Sequence, residues 1–283
     1  MIDRVDTARV RPTIGLVTAA AASAFLGGAF ASLADAQSAR DWVIFPDLAR
    51  SLDEMLGVSR VENWLVFRRN VNETESWQYW PRFYIPFNLP AGWTFTQRID
   101  LPMAYTDGEG PKNPMGQWKG GIGDWFIEEI FTTPEVAKNL TLIGSVRFVF
   151  PTGGQAPFGS GQYQWGPMIG MSYAIPEHAV TISPVARYLM SYHAKDDGAA
   201  KVRTLDLFPT VTFGFRDGWS LAFYSENPIV HNDVTNKWFV PIDVLLLKRV
   251  SKNLDFTFGG AYGLVRDSPN YKYIMNGSVA YYF

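Results

Sequence analysis

The feature that most constrains this chain is an alternation of apolar and polar residues with a period of two, which recurs from about residue 61 to the last residue. It is clearest at the end. Tyr271, Tyr273, Met275, Gly277, Val279, Tyr281 and Phe283 form one set, and Lys272, Ile274, Asn276, Ser278, Ala280 and Tyr282 the other. In a strand these sets point to opposite sides of a sheet. The stretch is longer than the five or six residues usual in a soluble sheet. Tilted, it is long enough to cross a bilayer. Taken alone, it also fits an edge strand of a soluble sandwich.

The rest of the chain separates these readings. Continuing the alternation predicts twelve strands near 61–69, 77–87, 93–105, 120–131, 139–150, 163–175, 179–192, 203–215, 219–227, 237–248, 254–265 and 271–283. The joins alternate in length. Tight turns at Pro90-Ala91-Gly92, Pro176-Glu177-His178, Arg216-Asp217-Gly218 and Ser251-Lys252-Asn253, and a somewhat longer join at 132–138, interleave with polar loops at 106–119, 151–162, 193–202 and 228–236. Outer-membrane barrels have this rhythm of short periplasmic turns and longer external loops. The expected fold is therefore all-β: a closed antiparallel transmembrane β-barrel of about 12 strands over residues 61–283, in a bacterial outer membrane and in contact with its lipids. Proline at Pro81, Pro167, Pro184, Pro209 and Pro241 removes a ladder donor, and local bulges are expected there.

Composition agrees. Aromatics make up 15% of the chain, and mean hydropathy is -0.05. Beyond the N-terminus no run reaches the roughly 18–20 apolar residues of a membrane helix, which excludes a helical membrane protein. Trp77, Trp93, Trp165, Trp219 and Trp238 fall near strand ends on the outward set, where an aromatic girdle belongs. The formal net charge of -2 points to no nucleic-acid partner, and the absence of cysteine removes disulfides and thiolate metal sites. No cofactor is expected. Asp196-Asp197-Gly198 and Asp107-Gly108-Glu109 read as solvated loop tips rather than calcium sites.

Residues 1–36 read as a secretory signal: Arg4, Arg9 and Arg11 precede an apolar stretch, Ile14 to Phe30, and Ala34-Asp35-Ala36 fits a cleavage site. Residues 37–60 form a separate segment. There Leu48, Leu52, Met55 and Leu56 recur at helical spacing between Pro46 and Gly57. This short helix plugs the lumen, caps it from the periplasm or merely tethers the barrel. An even strand count places both barrel ends in the periplasm. An amphipathic strand closed by Phe283 resembles the terminal signal that the barrel-assembly machinery reads.

Most strand charges share the inward set: Arg82, Arg98, Asp100, Asp124, Glu128, Arg147, Arg187, Asp206, Glu226, Asp243, Asp255 and Lys272. On the lipid face near the midplane, each Arg or Lys would cost about 2–4 kcal/mol, so a shared lumen is expected. Of these, Arg82, Arg98, Arg147 and Arg187, with Glu128 and Asp243, are expected to set selectivity. Glu129 falls outward and needs a bulge or an interfacial depth. Trp80, Tyr84, Phe126, Met168, Phe208, Tyr224, Phe239 and Tyr282 join the inward set. Twelve strands lie between barrels that hold only side chains and those that leave an aqueous channel.

Motifs in the middle of the chain are more specific. Gly121-Ile122-Gly123-Asp124 opens one strand, Phe150-Pro151-Thr152-Gly153-Gly154 closes the next, Phe158-Gly159-Ser160-Gly161 follows, and Tyr224-Ser225-Glu226 comes later. This succession resembles the transporter-like outer-membrane family labelled meta-pathway of phenol degradation, over roughly residues 90 to 283. The resemblance implies a barrel that admits aromatic or hydrophobic compounds. Where that family often continues G-x-G-D with small residues and Lys, this chain has Trp125-Phe126-Ile127-Glu128-Glu129. The expected function is passive uptake of small, aromatic or amphiphilic solutes. The alternatives are a structural barrel with a filled lumen and an outer-membrane lipid hydrolase. No nucleophile motif accompanies His178, His193 and His231, so no catalytic residue is assigned, although Ser191 and His193 alternate onto one face.

Overall fold

The computed structural model describes residues 57–267 and 270–283. The expected signal at 1–36 and the helix around Leu48 to Leu56 lie outside these residues.

The alternating stretches form strands, all antiparallel and all in one sheet. They are β1 (Arg60–Asn70), β2 (Glu75–Asn88), β3 (Thr94–Asp100), β4 (Met103–Thr106), β5 (Lys119–Ile122), β6 (Trp125–Thr132), β7 (Leu140–Phe150), β8 (Gln162–Ile175), β9 (Val180–Ala194), β10 (Arg203–Gly214), β11 (Trp219–Phe223), β12 (Ile229–Asn232), β13 (Lys237–Ser251), β14 (Leu254–Arg266) and β15 (Tyr271–Tyr282). β3 and β4 both pair with β2, and β6 and β5 pair with them in turn. β11 and β12 both lie between β10 and β13. The segments therefore make twelve staves. β1 pairs with both β2 and β15, which closes the sheet and leaves no edge.

A single closed sheet has no second layer, so a buried strand residue has only the interior to be buried in. Burial follows parity: Trp125, Phe131, Phe148 and Phe150 are exposed, while Phe126, Glu128, Ile130 and Thr132 are buried. The outer face carries large apolar side chains in contiguous array, among them Leu65, Ile85, Leu142, Ile169, Ile242 and Leu264. Apolar surface this continuous does not face water in soluble monomers; here it faces lipid. Ring clusters mark both ends. Phe87, Phe95 and Phe131 touch at the short-turn end, and Phe67, Trp77 and Tyr273 at the long-loop end. Glu129 keeps its outward register without a bulge. It stands opposite Gln97, whose Nε2 donates to it at 3.0 Å, one alternation inside the Phe95–Phe131 pair.

The alternation fails at particular places. Of the five prolines, only Pro241 sits at a register shift. Pro81 faces Asn63 and Pro184 faces Pro209 in unbroken register. Toward β9, the β8 ladder skips Gly166 and Pro167 and resumes unshifted. A missing donor here costs one ladder bond rather than a residue of register. In β15 the shift falls instead at Lys272, left unpaired between Tyr273 opposite Arg69 and Tyr271 opposite Asn70. Tyr271 consequently turns inward and is buried, and Lys272, expected inside, reaches Glu73 in the 71–74 loop. The stretch expected as a loop at 228–236 is also partly strand. β12 resumes at Ile229, so Tyr224–Pro228 is a break within one stave and only 233–236 is a loop.

Candidate functional site

The inward charges stand directly across from one another. Glu62 faces Arg82, Arg82 faces Asp100, Arg98 faces Glu128, Glu128 faces Arg147, and Arg187 faces Asp206. Opposite signs on neighbouring strands are the favourable cross-strand arrangement, and they form a belt inside the barrel. Arg82 Nε donates to Asp100 Oδ2 at 3.0 Å and its Nη1 to Glu62 Oε2 at 3.2 Å. Arg98 grips Asp100 with two bonds of 2.8 and 2.9 Å. Glu128 accepts from Arg147 Nη2 at 2.5 Å and from Ser145 Oγ at 2.8 Å. Arg187 donates to Asp206 Oδ2 at 2.6 Å. Aromatic faces fill the gaps: Arg147 lies 4.1 Å from the Phe126 ring centroid and Arg187 5.2 Å from Phe208.

Three of the inward charges, Arg82, Glu226 and Asp243, meet at the broken stave. Glu226, between β11 and β12, crosses the interior to Arg82 with two bonds, 3.1 and 3.2 Å. Asp243 of β13 holds that segment. Its Oδ2 accepts from the backbone N–H groups of Glu226 and Asn227 at 3.1 and 3.2 Å, and its Oδ1 from Asn227 Nδ2 at 2.8 Å. Tyr224 takes a left-handed conformation, φ 53°, which turns the chain out of the ladder.

Asp124 is different. It follows β5 and works on the loops. Its Oδ1 accepts from Gly153 N at 3.1 Å and its Oδ2 from Ser160 N and Oγ at 2.7 and 2.8 Å. Thr152 Oγ1 donates to Gly123 O at 2.7 Å. The three motifs seen in the sequence thus meet in one latch on loop 151–161. A Cβ on Gly159 would sit 2.2 Å from Asp124 Oδ1, and one on Gly121 2.7 Å from the Phe158 ring. Close approach, not turn geometry, requires glycine at both positions.

Sequence reasoning missed the contribution of β1. Arg60 donates to Glu62 Oε1 at 2.6 Å and lies 3.5 Å over Tyr84, and Trp64 Nε1 donates to Glu62 Oε2 at 2.8 Å. The signal was present, since Arg60, Glu62, Trp64, Val66 and Arg68 share one parity. Asn63 on the other parity blurred it.

With β1 included, Arg60, Arg82, Arg98 and Arg147 offset Glu62, Asp100, Glu128 and Glu226. Beside the Arg82–Glu226 strut lies a cavity of about 210 Å³, lined from β1, β2, β10, β12, β13, β15 and the inturned segment. The histidines sit outside this region. His231 Nδ1 is 2.7 Å from Asp233, and its Nε2, the nitrogen a nucleophile would need, is 3.2 Å from Asn236 Oδ1. Ser191 Oγ bonds the backbone of Val202, while His193 packs on Tyr163.

Closed sheet, apolar outer belt and charged interior together define a transmembrane β-barrel of the bacterial outer membrane. Comparison with solved structures places the chain beside two such barrels. The COG4313 outer membrane channel from Pseudomonas putida F1 matches with a TM-score of 0.61 and 14% identity, over 80% of this chain and 94% of that one. The NanC porin matches with a TM-score of 0.51 and 11% identity, over 79% and 98%. At these identities the likeness is one of fold. No family model matches the sequence, and no curated protein does.

Proposed function

We propose that this barrel is a channel for passive uptake of small, aromatic or amphiphilic solutes, with Arg82, Arg98, Asp100, Glu128, Arg147, Arg187, Asp206, Glu226 and Asp243 along the solute path and Asp124 at its outer rim. The observation that carries the reading is the broken stave. Interrupting a strand at Tyr224–Pro228 forfeits ladder bonds, yet it brings Glu226 onto Arg82 across the interior. The strut narrows the interior at one point, and in a channel that point controls what passes. Belts of paired charge interleaved with rings suit solutes that carry both a polar group and an aromatic face. The names of the two structural neighbours, channel and porin, support transport over catalysis, as does the resemblance of the G-x-G-D, P-T-G and G-S-G succession to a transporter-like family.

The same Arg82–Glu226 strut favours a second reading, a structural barrel whose lumen is simply filled. Planar-bilayer recording and liposome swelling with small aromatics, fatty acids and sugars separate the two. The channel reading expects discrete conductance steps and swelling that is faster with small aromatics than with sugars of similar mass. Silence in both assays leaves the filled barrel. We assign delivery to the barrel-assembly machinery to the outward pair Tyr281 and Phe283, whose rings lie 5.9 Å apart. Removing Phe283 then lowers the yield of heat-modifiable folded protein.

A further inference from the structure

Arg82 spends all three of its guanidinium nitrogens on acids: Nε on Asp100, Nη1 on Glu62 and Glu226, and Nη2 on Glu226. Three other arginines of the belt do not. Arg98 grips Asp100, Arg147 grips Glu128 and Arg187 grips Asp206, each through Nε and Nη2. In each of them Nη1 makes no hydrogen bond among the described residues. Arg98 Nη1 stands 3.9 Å from Glu128 Oε2, too far to donate.

These three donors are open to the interior. The side chains of Arg98, Arg147 and Arg187 are 16%, 12% and 10% exposed, against 3% for Arg82. None of their Nη1 atoms is among the polar atoms that are both unpartnered and shut off from the surface. All three residues have inward parity, so the surface they reach is that of the lumen.

The carboxylates fix where the donors point. A guanidinium is planar, and a carboxylate on its Nε–Nη2 edge leaves Nη1 directed away from that acid. Rings hold the planes from the side. Arg98 and Arg147 lie 5.2 and 4.1 Å from the centroid of one ring, Phe126, and Arg187 lies 5.2 Å from Phe208. Glu128 stands between Arg98 and Arg147 in register. Between Arg147 and Arg187, the inward positions of β8 are Gly166, opposite Arg147, and Met168, opposite Arg187. The glycine sets no side chain beside Arg147. A cation whose geometry is already fixed loses little further freedom when it binds.

We propose that the Nη1 groups of Arg98, Arg147 and Arg187 form a transit site in the lumen for small monocarboxylates, selected by their charge and their paired acceptor oxygens. The carboxylate accepts from Arg98 and Arg147, which flank one ring, and Arg187 offers the next donor around the wall. Each arginine keeps its own acid, so the held anion is bound weakly enough to leave, as passage requires. Neutral and cationic solutes of the same shape find no such partner. The inference rests on the channel reading only in calling the site one of transit; binding itself is read at equilibrium.

The test is a ligand-observed NMR titration of the full-length mature protein in an uncharged detergent. The probes are butyrate and its neutral and cationic counterparts, butyramide and butylammonium. Saturable binding of butyrate is expected, with both other probes at least about tenfold weaker, as loss of charge-assisted bonds predicts. The main variant is Arg147→Gln combined with Glu128→Gln. It removes one donor without stranding a buried acid, keeps a hydrogen-bonding pair across the strands and leaves the net charge unchanged. Butyrate should bind it about tenfold more weakly. Arg187→Gln with Asp206→Asn should act in the same direction, and it decides the matter if the first pair does not fold. The matched swap Arg249→Gln with Asp255→Asn, an ion pair at the short-turn end, should leave affinity unchanged. Butyramide or butylammonium as tight as butyrate overturns the site. So does full butyrate affinity in the belt variants, or an equal loss in the Arg249 swap. Binding without conductance keeps the site and removes the channel reading; conductance without saturable butyrate binding does the reverse.

Discussion

Arg82 joins the two halves of the barrel interior: its guanidinium donates twice to Glu226, which is 144 positions further along the chain, while it also holds Glu62 and Asp100. The two partners are not equivalent. Arg82 is 3% exposed and serves three acids; the Glu226 side chain is 26% exposed and serves one arginine. Removing the guanidinium strands buried carboxylates, which costs about 3–5 kcal/mol. Arg82→Ala should therefore lower the temperature at which the folded band disappears on heating, before any change in selectivity can be read. Glu226→Gln should fold normally and show larger or more frequent conductance steps, because the strut is broken from its exposed end. Equal conductance in Glu226→Gln and the parent would mean that the strut does not restrict the path.

Asp243 supports the strut from behind. It is fully buried and accepts from two backbone N–H groups and one side-chain amide of the inturned segment. Asp243→Ala leaves those donors without an acceptor, at about 1–3 kcal/mol for each one that water does not reach. The segment should then leave its position while the staves on either side stay paired. Amide hydrogen exchange at residues 224–228 should rise in Asp243→Ala, with β10 and β13 still protected. Unchanged exchange would assign the hold on this segment to Glu226 alone.

The staves and the inward charges were legible in the sequence because one rule generates both: period two sets the face, and the price of charge in lipid sets its sign of polarity. Arg98, Glu128, Arg147 and Arg187 follow that rule without exception. What escaped depends on single contacts that periodicity does not carry. The turn of Tyr271 into the interior requires one unpaired residue at Lys272, and no local pattern in Tyr271–Tyr273 marks it. The inturned segment depends on Asp243, 17 positions from Glu226 in the chain. The G-x-G-D, P-T-G and G-S-G motifs were visible as a succession, but their meeting around Asp124 joins residues 36 positions apart.

That meeting predicts how the external loops respond to substitution. Gly159→Ala places a methyl group 2.2 Å from Asp124 Oδ1 and must displace the carboxylate that holds Gly153 N and Ser160. Asp124→Ala removes the acceptor outright. Both variants should release loop 151–161 from the barrel rim and leave the staves intact. Limited proteolysis of the folded protein, with cleavage sites mapped by mass spectrometry, should show new cuts between residues 151 and 161 in both variants and none in the parent. Protection equal to the parent in Asp124→Ala would show that the remaining contacts, such as Lys195 Nζ to Pro151 O at 3.1 Å, hold the loop unaided.

The outer belt makes a separate prediction, independent of any solute. Ile169 lies in the middle of β8, opposite Gly144 of β7 and Ala186 of β9, and is 72% exposed on the outer face. In water an arginine at such a position would cost little. In a bilayer it must be desolvated or reach an interface, at about 2–4 kcal/mol near the midplane. Ile169→Arg should therefore destabilise the barrel by that amount when folding is measured in lipid vesicles. Ile169→Leu should be neutral, because it keeps the apolar area. The neighbouring residue, Met168, provides the internal control, since it packs inward on the cluster of Tyr84, Ile130 and Ile143. Met168→Ala should lose stability through packing, to a similar degree in detergent and in lipid, whereas Ile169→Arg should be costly only where a hydrocarbon core is present. The same stability for Ile169→Arg and the parent in vesicles would place β8 outside the membrane and overturn the lipid-facing assignment of its odd-numbered residues.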